Sequence, residues 1–289
     1  MTRTDFIHPE DETALRQLEA IPGFSSVVKK FLALGYENMY YGMNMASSIR
    51  LSETQLPHLY KHLPPICQKL GIAEPEFYLQ MDPCPNAWTF GDTRIFITIT
   101  SGLVESMTDD ELDAVIAHEC GHILCKHVLY HTMAQFFLTM ADNSGLFGKL
   151  TIPVQYALWY WFRKSELSCD RVASYITTPK VVASTMARLA GGPKELTEQI
   201  NLEEWAKQAD LYDGIYNSGF WDKTLQILIT ANLDHPFAAV RVREIFKWSQ
   251  SVQYKNLINN PEQTTSCPNC QKTVDPSWQF CKYCGTKIK

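Results

Sequence analysis

The sequence predicts a predominantly helical α+β fold with one small β-sheet, followed by a small cysteine-rich domain at the C-terminus. Long stretches of the 289 residues repeat apolar side chains at helical spacing. The short runs 76–81, 86–90 and 94–100 instead have the aromatic and β-branched character of strands. With 45% hydrophobic residues, the chain can bury one sizeable core beside the small domain.

The N-terminal third is predicted to be helical over residues 10–20, 25–48 and 52–70, and these helices would brace the back of the core. Pro64 and Pro65 interrupt the third helix, so its boundary stays open. The run 86–90 lies between turn residues and comes shortly before a long helix. As an edge strand it would offer backbone groups to an extended peptide, whereas an ordinary hairpin without a ligand is the alternative.

A helix near 108–128 carries the most informative pattern of the chain. Thr108 and Glu111 form a capping box at its start. His118, Glu119 and His122 then form an HExxH element, in which two imidazoles on one helix face can bind one ion. Glu119 lies close enough to act as general base on water at that ion, which is the arrangement of a zinc peptidase.

Two further histidines follow on the same predicted helix. His127 and His131 fall on the face opposite His118, so neither is expected to bind the same ion. A polar outer face is favoured for this pair over a second metal site.

The third metal ligand must come from elsewhere in the chain. A histidine six residues after His122, which some HExxH sites use, is absent because this position is Val128. The run 163–173 is compatible with a helix and places Glu166 and Asp170 four apart on one face. Glu166 could complete the site and Asp170 could accept the ring N–H of a ligand histidine. Two carboxylates on a solvated helix face are the alternative.

Four separated stretches together resemble the gluzincin family of HtpX-type and CAAX prenyl endopeptidases, metallopeptidase family 48. They are residues 86–91, residues 100–103 running into the HExxH helix, Glu166 with Asp170, and His235-Pro236 with Arg241. Residues 5–11 and 21–24 resemble a soluble bacterial branch of that family.

The resemblance implies a zincin-type core. It also implies that His118, His122 and Glu166 bind a catalytic zinc ion and that Glu119 is the general base. Asn86 and Ala87 would then form the edge that pairs with the substrate.

Two downstream residues have less defined roles. His235 precedes a proline and could stabilise the oxyanion of the tetrahedral intermediate, or it could fix the turn. Arg241 could order the ligand carboxylates or cap a surface helix.

The predicted function is that of a zinc-dependent metalloendopeptidase that hydrolyses protein substrates through a zinc-bound water activated by Glu119. The substrate would bind as an added β-strand. Two alternatives stay open. The chain could be a latent scaffold that binds peptides, although an intact Glu119 argues against this, or an adaptor that acts through its C-terminal domain.

That C-terminal domain has the spacing of a four-cysteine zinc ribbon. Its four cysteines, which would bind a second, structural zinc ion, are Cys267, Cys270, Cys281 and Cys284. We therefore expect a peptidase domain over 1–248, a polar linker over 249–265 and the ribbon over 266–289. The ribbon has a formal charge of +3, which favours docking of a protein partner or a stabilising role over DNA binding.

The remaining composition sets the expected location. The formal net charge of −5 leaves about −8 outside the ribbon, so no nucleic acid is expected there. The other five cysteines are scattered and the N-terminus lacks an apolar signal segment, which favours the cytoplasm. No apolar run reaches the ~20 residues of a transmembrane span. The run 146–162 is predicted as a core helix, with a hydrophobic lip or a peripheral membrane contact as alternatives.

Overall fold

The structure is a computed structural model. It describes residues 1–140, 151–216 and 238–259, and then 265–266, 269, 273–274, 280–281 and 284–287. The chain divides into two compact units, residues 1–249 and 250–289, and each is described by itself.

The first unit contains a 3-10 turn at Arg3–Asp5 and a series of α-helices. The helices are α1 (Pro9–Glu19), α2 (Phe24–Leu32), α3 (Tyr36–Ser47), α4 (Pro57–Tyr60), α5 (Leu63–Leu70), α6 (Ser101–Ser106), α7 (Asp109–Leu124), α8 (Val128–Met140), α9 (Thr151–Ile176), α10 (Pro179–Gly191), α11 (Lys194–Thr197), α12 (Leu202–Tyr216) and α13 (Ala238–Ser249). The strands are β1 (Ile49–Arg50), β2 (Glu76–Gln80), β3 (Ala87–Phe90) and β4 (Phe96–Thr100). This predominantly helical α+β architecture confirms the predicted fold class.

The N-terminal helices are shorter than the sequence predicts. The stretch predicted as one helix over 25–48 is divided into α2 and α3 by Gly35, whose φ of 65° is left-handed and ends regular helical geometry. The stretch predicted over 52–70 holds only α4 and α5. The proline pair is accommodated in the first turn of α5, where the missing backbone N–H costs nothing.

The four strands form one sheet in the order β1–β2–β4–β3. Strand β4 runs parallel to β2 and antiparallel to β3, and all five of its residues are buried. Strand β3 therefore lies at the edge, and no other strand pairs with its outer side among the described residues. An edge strand in this position has backbone groups that are available to another chain.

One apolar core joins the N-terminal helices to α9. Phe24 and Phe31 pack in it with Leu158 and Trp161, and Trp161 is fully buried. The described part of the apolar run predicted over 146–162 thus contributes mainly to this core, while its Tyr156 and Tyr160 are exposed. No helix within the described ranges combines the length and the apolar character that crossing a membrane requires.

Helix α7 begins as predicted and ends earlier than predicted. Thr108 caps it and forms the expected reciprocal bonds with Glu111. The helix stops at Leu124, and Lys126 then adopts a left-handed φ of 63°. The backbone N–H of His127 bonds to the carbonyl of His122 at 2.8 Å, so the chain turns back before α8 begins.

The second unit contains helix α14 (Val252–Asn259) and the two-residue strands β5 (Thr265–Ser266) and β6 (Thr273–Val274), which pair antiparallel. Near its end, the N–H of Gly285 bonds to the carbonyl of Cys281 at 2.8 Å, and Gly285 has a left-handed φ of 74°. A tight turn therefore holds Cys281 close to Cys284, as a ribbon knuckle requires.

Candidate active site

Helices α7 and α9 bring the HExxH residues against Glu166. Nε2 of His118 lies 3.3 Å from Oε2 of Glu166, and Nε2 of His122 lies 3.5 Å from Oε1 of the same carboxylate. These three residues and Glu119 are all buried. Two imidazole nitrogens and one carboxylate with converging donor atoms match the ligand chemistry of a catalytic zinc site.

Asp170 lies one turn after Glu166 and contacts the other side of His118. Its Oδ1 is 3.0 Å from Nδ1 of His118. Arg241, which comes from α13, donates to both oxygens of Asp170 at 2.6 and 2.8 Å and lies 3.1 Å from Glu166. The guanidinium thus holds both carboxylates in place, as one of the two alternatives for Arg241 predicted. The other alternative, capping of a surface helix, is wrong because the side chain is buried.

Burial and charge act against each other at these groups. Burial by itself would lower the pKa of His118, but Glu166 and Asp170 outweigh it and raise that pKa to about 9. Burial would raise the pKa of Asp170, but Arg241 holds it below its usual value. The pKa of His122 lies well below its usual value, first because the ring is buried. His122 is therefore a neutral imidazole, which is the form that binds metals.

The side chain of Glu119 is held by a residue of the edge strand. The hydroxyl of Thr89, in β3, donates to Oε2 of Glu119 at 2.6 Å. Thr89 is a buried residue of β3, and no sequence pattern distinguishes it as a partner of Glu119.

Two open clefts share Asn86, Ala87 and Glu119 as lining residues. One is lined mainly by apolar side chains that include Val115, Val182 and Met186. The other has a mixed polar and aromatic lining, which also includes Trp88, Thr89, Phe90, His122, His131, Gln135, Phe162 and Glu166.

Asn86 and Ala87 stand at the start of the edge strand. The carbonyl of Asn86 accepts from the N–H of Thr100 at 3.0 Å, and its side chain accepts from the N–H of Ala87 at 2.9 Å. Ala87 pairs with Ile99 in β4. Both residues therefore adjoin Glu119 at the edge of the sheet, and their binding of substrate stays a prediction.

The predicted polar outer face at His127 and His131 is wrong, because both side chains are buried. The prediction assumed one continuous helix to residue 128, but the turn at Lys126 folds His127 back onto His122. His131 lies in α8, where its ring stacks on Phe162 and its Nε2 lies 2.6 Å from the hydroxyl of Ser165.

Three of the predicted site residues lie outside the described residues. They are His235, Cys267 and Cys270. Their roles stay predictions. Cys281 and Cys284 lie in the knuckle turn of the second unit.

Gly121 permits the close approach of α7 and α9. A Cβ added there would lie 3.0 Å from Cα and 3.1 Å from Cβ of Cys169. The close contact at Gly121 thus packs α7, which carries His118 and His122, directly against α9, which carries Glu166.

Comparison with known proteins agrees with this architecture. The model described as peptidase family M48 matches residues 53–249, and the zinc-ribbon domain model matches residues 263–288. The plastoglobule-localized metallopeptidase 48, chloroplastic, of Arabidopsis thaliana is 34% identical over 268 residues, which cover 91% of this chain and 77% of that protein.

More distant relatives include HtpX proteases. A protease HtpX homolog of Pelotomaculum thermopropionicum is 32% identical over 45% of this chain, and the match spans only half of that protein. Among solved structures, S. mikatae Ste24p aligns with a TM-score of 0.46 and 16% identity, over 81% of this chain and 62% of that one.

The fold and the sequence relationships define a metalloprotease whose core is followed by a zinc ribbon. The chain belongs to peptidase family M48.

Proposed function

We propose that the chain is a zinc-dependent endopeptidase in which His118, His122 and Glu166 hold the zinc ion. The observation that carries this proposal is the convergence of two imidazole Nε2 atoms on the Glu166 carboxylate, with Glu119 on the same helix turn. A zinc ion bound there would act as a Lewis acid that makes water a better nucleophile and stabilises negative charge.

The roles of the protein groups follow from their contacts. Glu119 takes a proton from the attacking water and passes it to the leaving amine, while Thr89 orients its carboxylate. Asp170 and Arg241 orient His118 and Glu166, so the ligands keep one arrangement. His235 is a candidate donor to the oxyanion.

The edge strand and the two clefts support a mode of substrate binding. A peptide added to β3 would be held by backbone hydrogen bonds, so its position over Glu119 would not depend on its side chains. Selectivity would come from the apolar cleft beside Ala87, where Val115, Val182 and Met186 would contact an apolar side chain next to the cleaved bond.

The test is cleavage of unfolded casein and of a quenched-peptide library by the zinc-loaded full chain. We expect chelator-sensitive cleavage with a preference for an apolar residue beside the scissile bond. Glu119→Gln should retain the zinc content but lower the cleavage rate about 10²–10⁴-fold. Glu105 is exposed, so Glu105→Gln is the matched control and should cleave at the wild-type rate. Chelator-resistant cleavage, or full activity of Glu119→Gln, would refute the proposal, and absence of cleavage would favour a latent peptide-binding scaffold.

A further inference from the structure

A buried chain of polar groups leads from the N-terminal helix to the back of His122. Asp11, in α1, is completely buried although it is a carboxylate. Its Oδ1 accepts from Nε1 of Trp161 at 2.9 Å, and its Oδ2 accepts from the hydroxyl of Ser168 at 2.5 Å. The same Oδ2 lies 3.0 Å from Nε2 of His127. The carboxylate is thus fixed in one orientation and faces the imidazole.

His127 connects this carboxylate to the predicted metal ligand. The ring is completely buried, and its Nδ1 lies 3.3 Å from Nδ1 of His122. Sγ of Cys169 lies beside both nitrogens, 3.3 Å from His122 and 3.6 Å from His127. Burial raises the pKa of Cys169 well above its usual value, so this group is a neutral thiol.

The order of donors along this chain determines which nitrogen of His122 carries the proton. An ionised carboxylate can only accept hydrogen bonds, so Nε2 of His127, which lies 3.0 Å from Oδ2 of Asp11, is the ring nitrogen that carries a proton there. In the form of His127 that can accept from His122, Nδ1 keeps its lone pair. Nδ1 of His122 donates to that lone pair, so the free lone pair of His122 lies on Nε2, the atom that faces Glu166.

We propose that Asp11 and His127 are positioning residues that fix the tautomer and orientation of His122 for zinc binding. The proposal rests on the proposed zinc site. His118 is oriented directly by Asp170, whereas His122 is oriented through a second imidazole by a carboxylate from a helix more than a hundred residues away. The two ligand histidines then present the same nitrogen, Nε2, to Glu166.

The competing explanation is that the histidine cluster itself binds a metal ion. Nitrogen atoms of His122, His127 and His131 lie close enough together to hold a metal ion. Nε2 of His127 lies 3.0 Å from Oδ2 of Asp11, and Nε2 of His131 lies 2.6 Å from the hydroxyl of Ser165, so each of these two rings has a polar partner without an ion.

The first measurement is made on the metal-free full chain. Two-bond ¹H–¹⁵N correlation of the histidine rings should show His122 protonated at Nδ1 and His127 protonated at Nε2. Since this spectrum requires neither zinc nor turnover, it can fail or succeed independently of the proposed peptidase function. His122 protonated at Nε2 in the metal-free protein would overturn the proposal.

The second measurement uses Asp11→Asn. Trp161 requires an acceptor at the Oδ1 position, so the new amide nitrogen would face His127 and reverse the donor order. We expect His122 to change tautomer and its zinc affinity, measured by chelator competition, to fall about 10–100-fold. His127→Phe should weaken zinc to a similar degree, and if Asp11→Asn does not fold, this variant supplies the affinity readout.

The matched control is Glu111→Gln. Glu111 is also a buried carboxylate with several partners and lies on α7, but it contacts Ser184 and Arg188 at the far end of that helix. The Glu111→Gln variant should be less stable than wild type, but its zinc affinity and the tautomer of its His122 should be unchanged. Wild-type zinc affinity in both Asp11→Asn and His127→Phe would refute the relay. An additional zinc ion per chain that is lost in His127→Phe would show instead that the cluster binds metal.

Discussion

Thr89 and Glu119 are joined by a hydrogen bond of 2.6 Å between a strand and a helix that lie 30 residues apart in the chain. A hydrogen bond to a charged group contributes roughly 1.5–3 kcal/mol. We predict that Thr89→Val, which keeps the shape and removes the hydroxyl, lowers kcat about 10-fold or more with little change in KM. The cause would be a less well oriented general base, and steady-state kinetics on one peptide substrate would measure it.

Two variants separate this role from simple packing. Thr89→Ser keeps the donor and should retain most of the activity. Thr98→Val removes a buried hydroxyl of β4 that has no hydrogen-bond partner among the described residues, and it should be nearly neutral. Equal losses in Thr89→Val and Thr98→Val would show that the effect comes from the core and not from Glu119.

At the residue scale, the sequence predicts groups that recur at a helical interval and misses those that a fold alone brings together. His118 with His122 and Glu166 with Asp170 are four apart, so a helix places each pair on one face. Asp11 and Thr89 have no such interval. They reach the site because α1 packs on α9 and because β3 lies beside α7, which no local pattern encodes.

At the element scale, α7 is attached to α10 through the buried carboxylate of Glu111. One oxygen accepts from Thr108, and the other accepts from Ser184 at 2.7 Å and from Arg188 at 3.0 Å. Burial would raise the pKa of Glu111, but these donors outweigh it and lower the pKa from its usual value of 4.5. The charged carboxylate of Glu111 thus anchors the start of α7 to α10.

The consequence is a pH-dependent stability. Because the folded-state pKa of Glu111 is depressed, its stabilising contribution is present above pH 4.5 and is lost as the pH falls below that value toward the folded-state pKa. We predict that Glu111→Gln is less stable than wild type by roughly 1–3 kcal/mol at pH 7, since a buried charged partner loses its counterpart. Urea unfolding should show this difference shrink at progressively lower pH. A difference that stays constant from pH 7 to pH 3 would contradict the assigned role.

The length of elements was harder to predict than their type. The continuous apolar periodicity around 25–48 and 108–128 gave no reason to expect that Gly35 and Lys126 would adopt left-handed φ values. A glycine permits that conformation at little cost, but a lysine there is held by its surroundings. The turn at Lys126 is the one that changes the site, because it buries His127 beside His122.

At the scale of the whole molecule, the peptidase match ends at residue 249, where the first compact unit also ends. The site residues that the structure describes all lie in this unit. The four cysteines of the second unit are expected to hold their own zinc ion, which would supply the folding energy of a domain too small for an adequate apolar core.

We therefore predict that a chain ending at residue 249 folds, binds one zinc ion fewer than the full chain and cleaves a short generic peptide at a rate within about 2–3-fold of the full chain. This expectation follows from the core and the site, whose described contacts are made within residues 1–249. Zinc analysis, thermal unfolding and the quenched-peptide assay would measure the three quantities.

A full-length chain with Cys281→Ser and Cys284→Ser controls for loss of the metal without loss of length. If both variants keep peptide cleavage but process a folded protein substrate poorly, the ribbon recruits substrates. If peptide cleavage itself is lost in both, the ribbon and its metal are required for the active peptidase, and the division of labour predicted here is wrong.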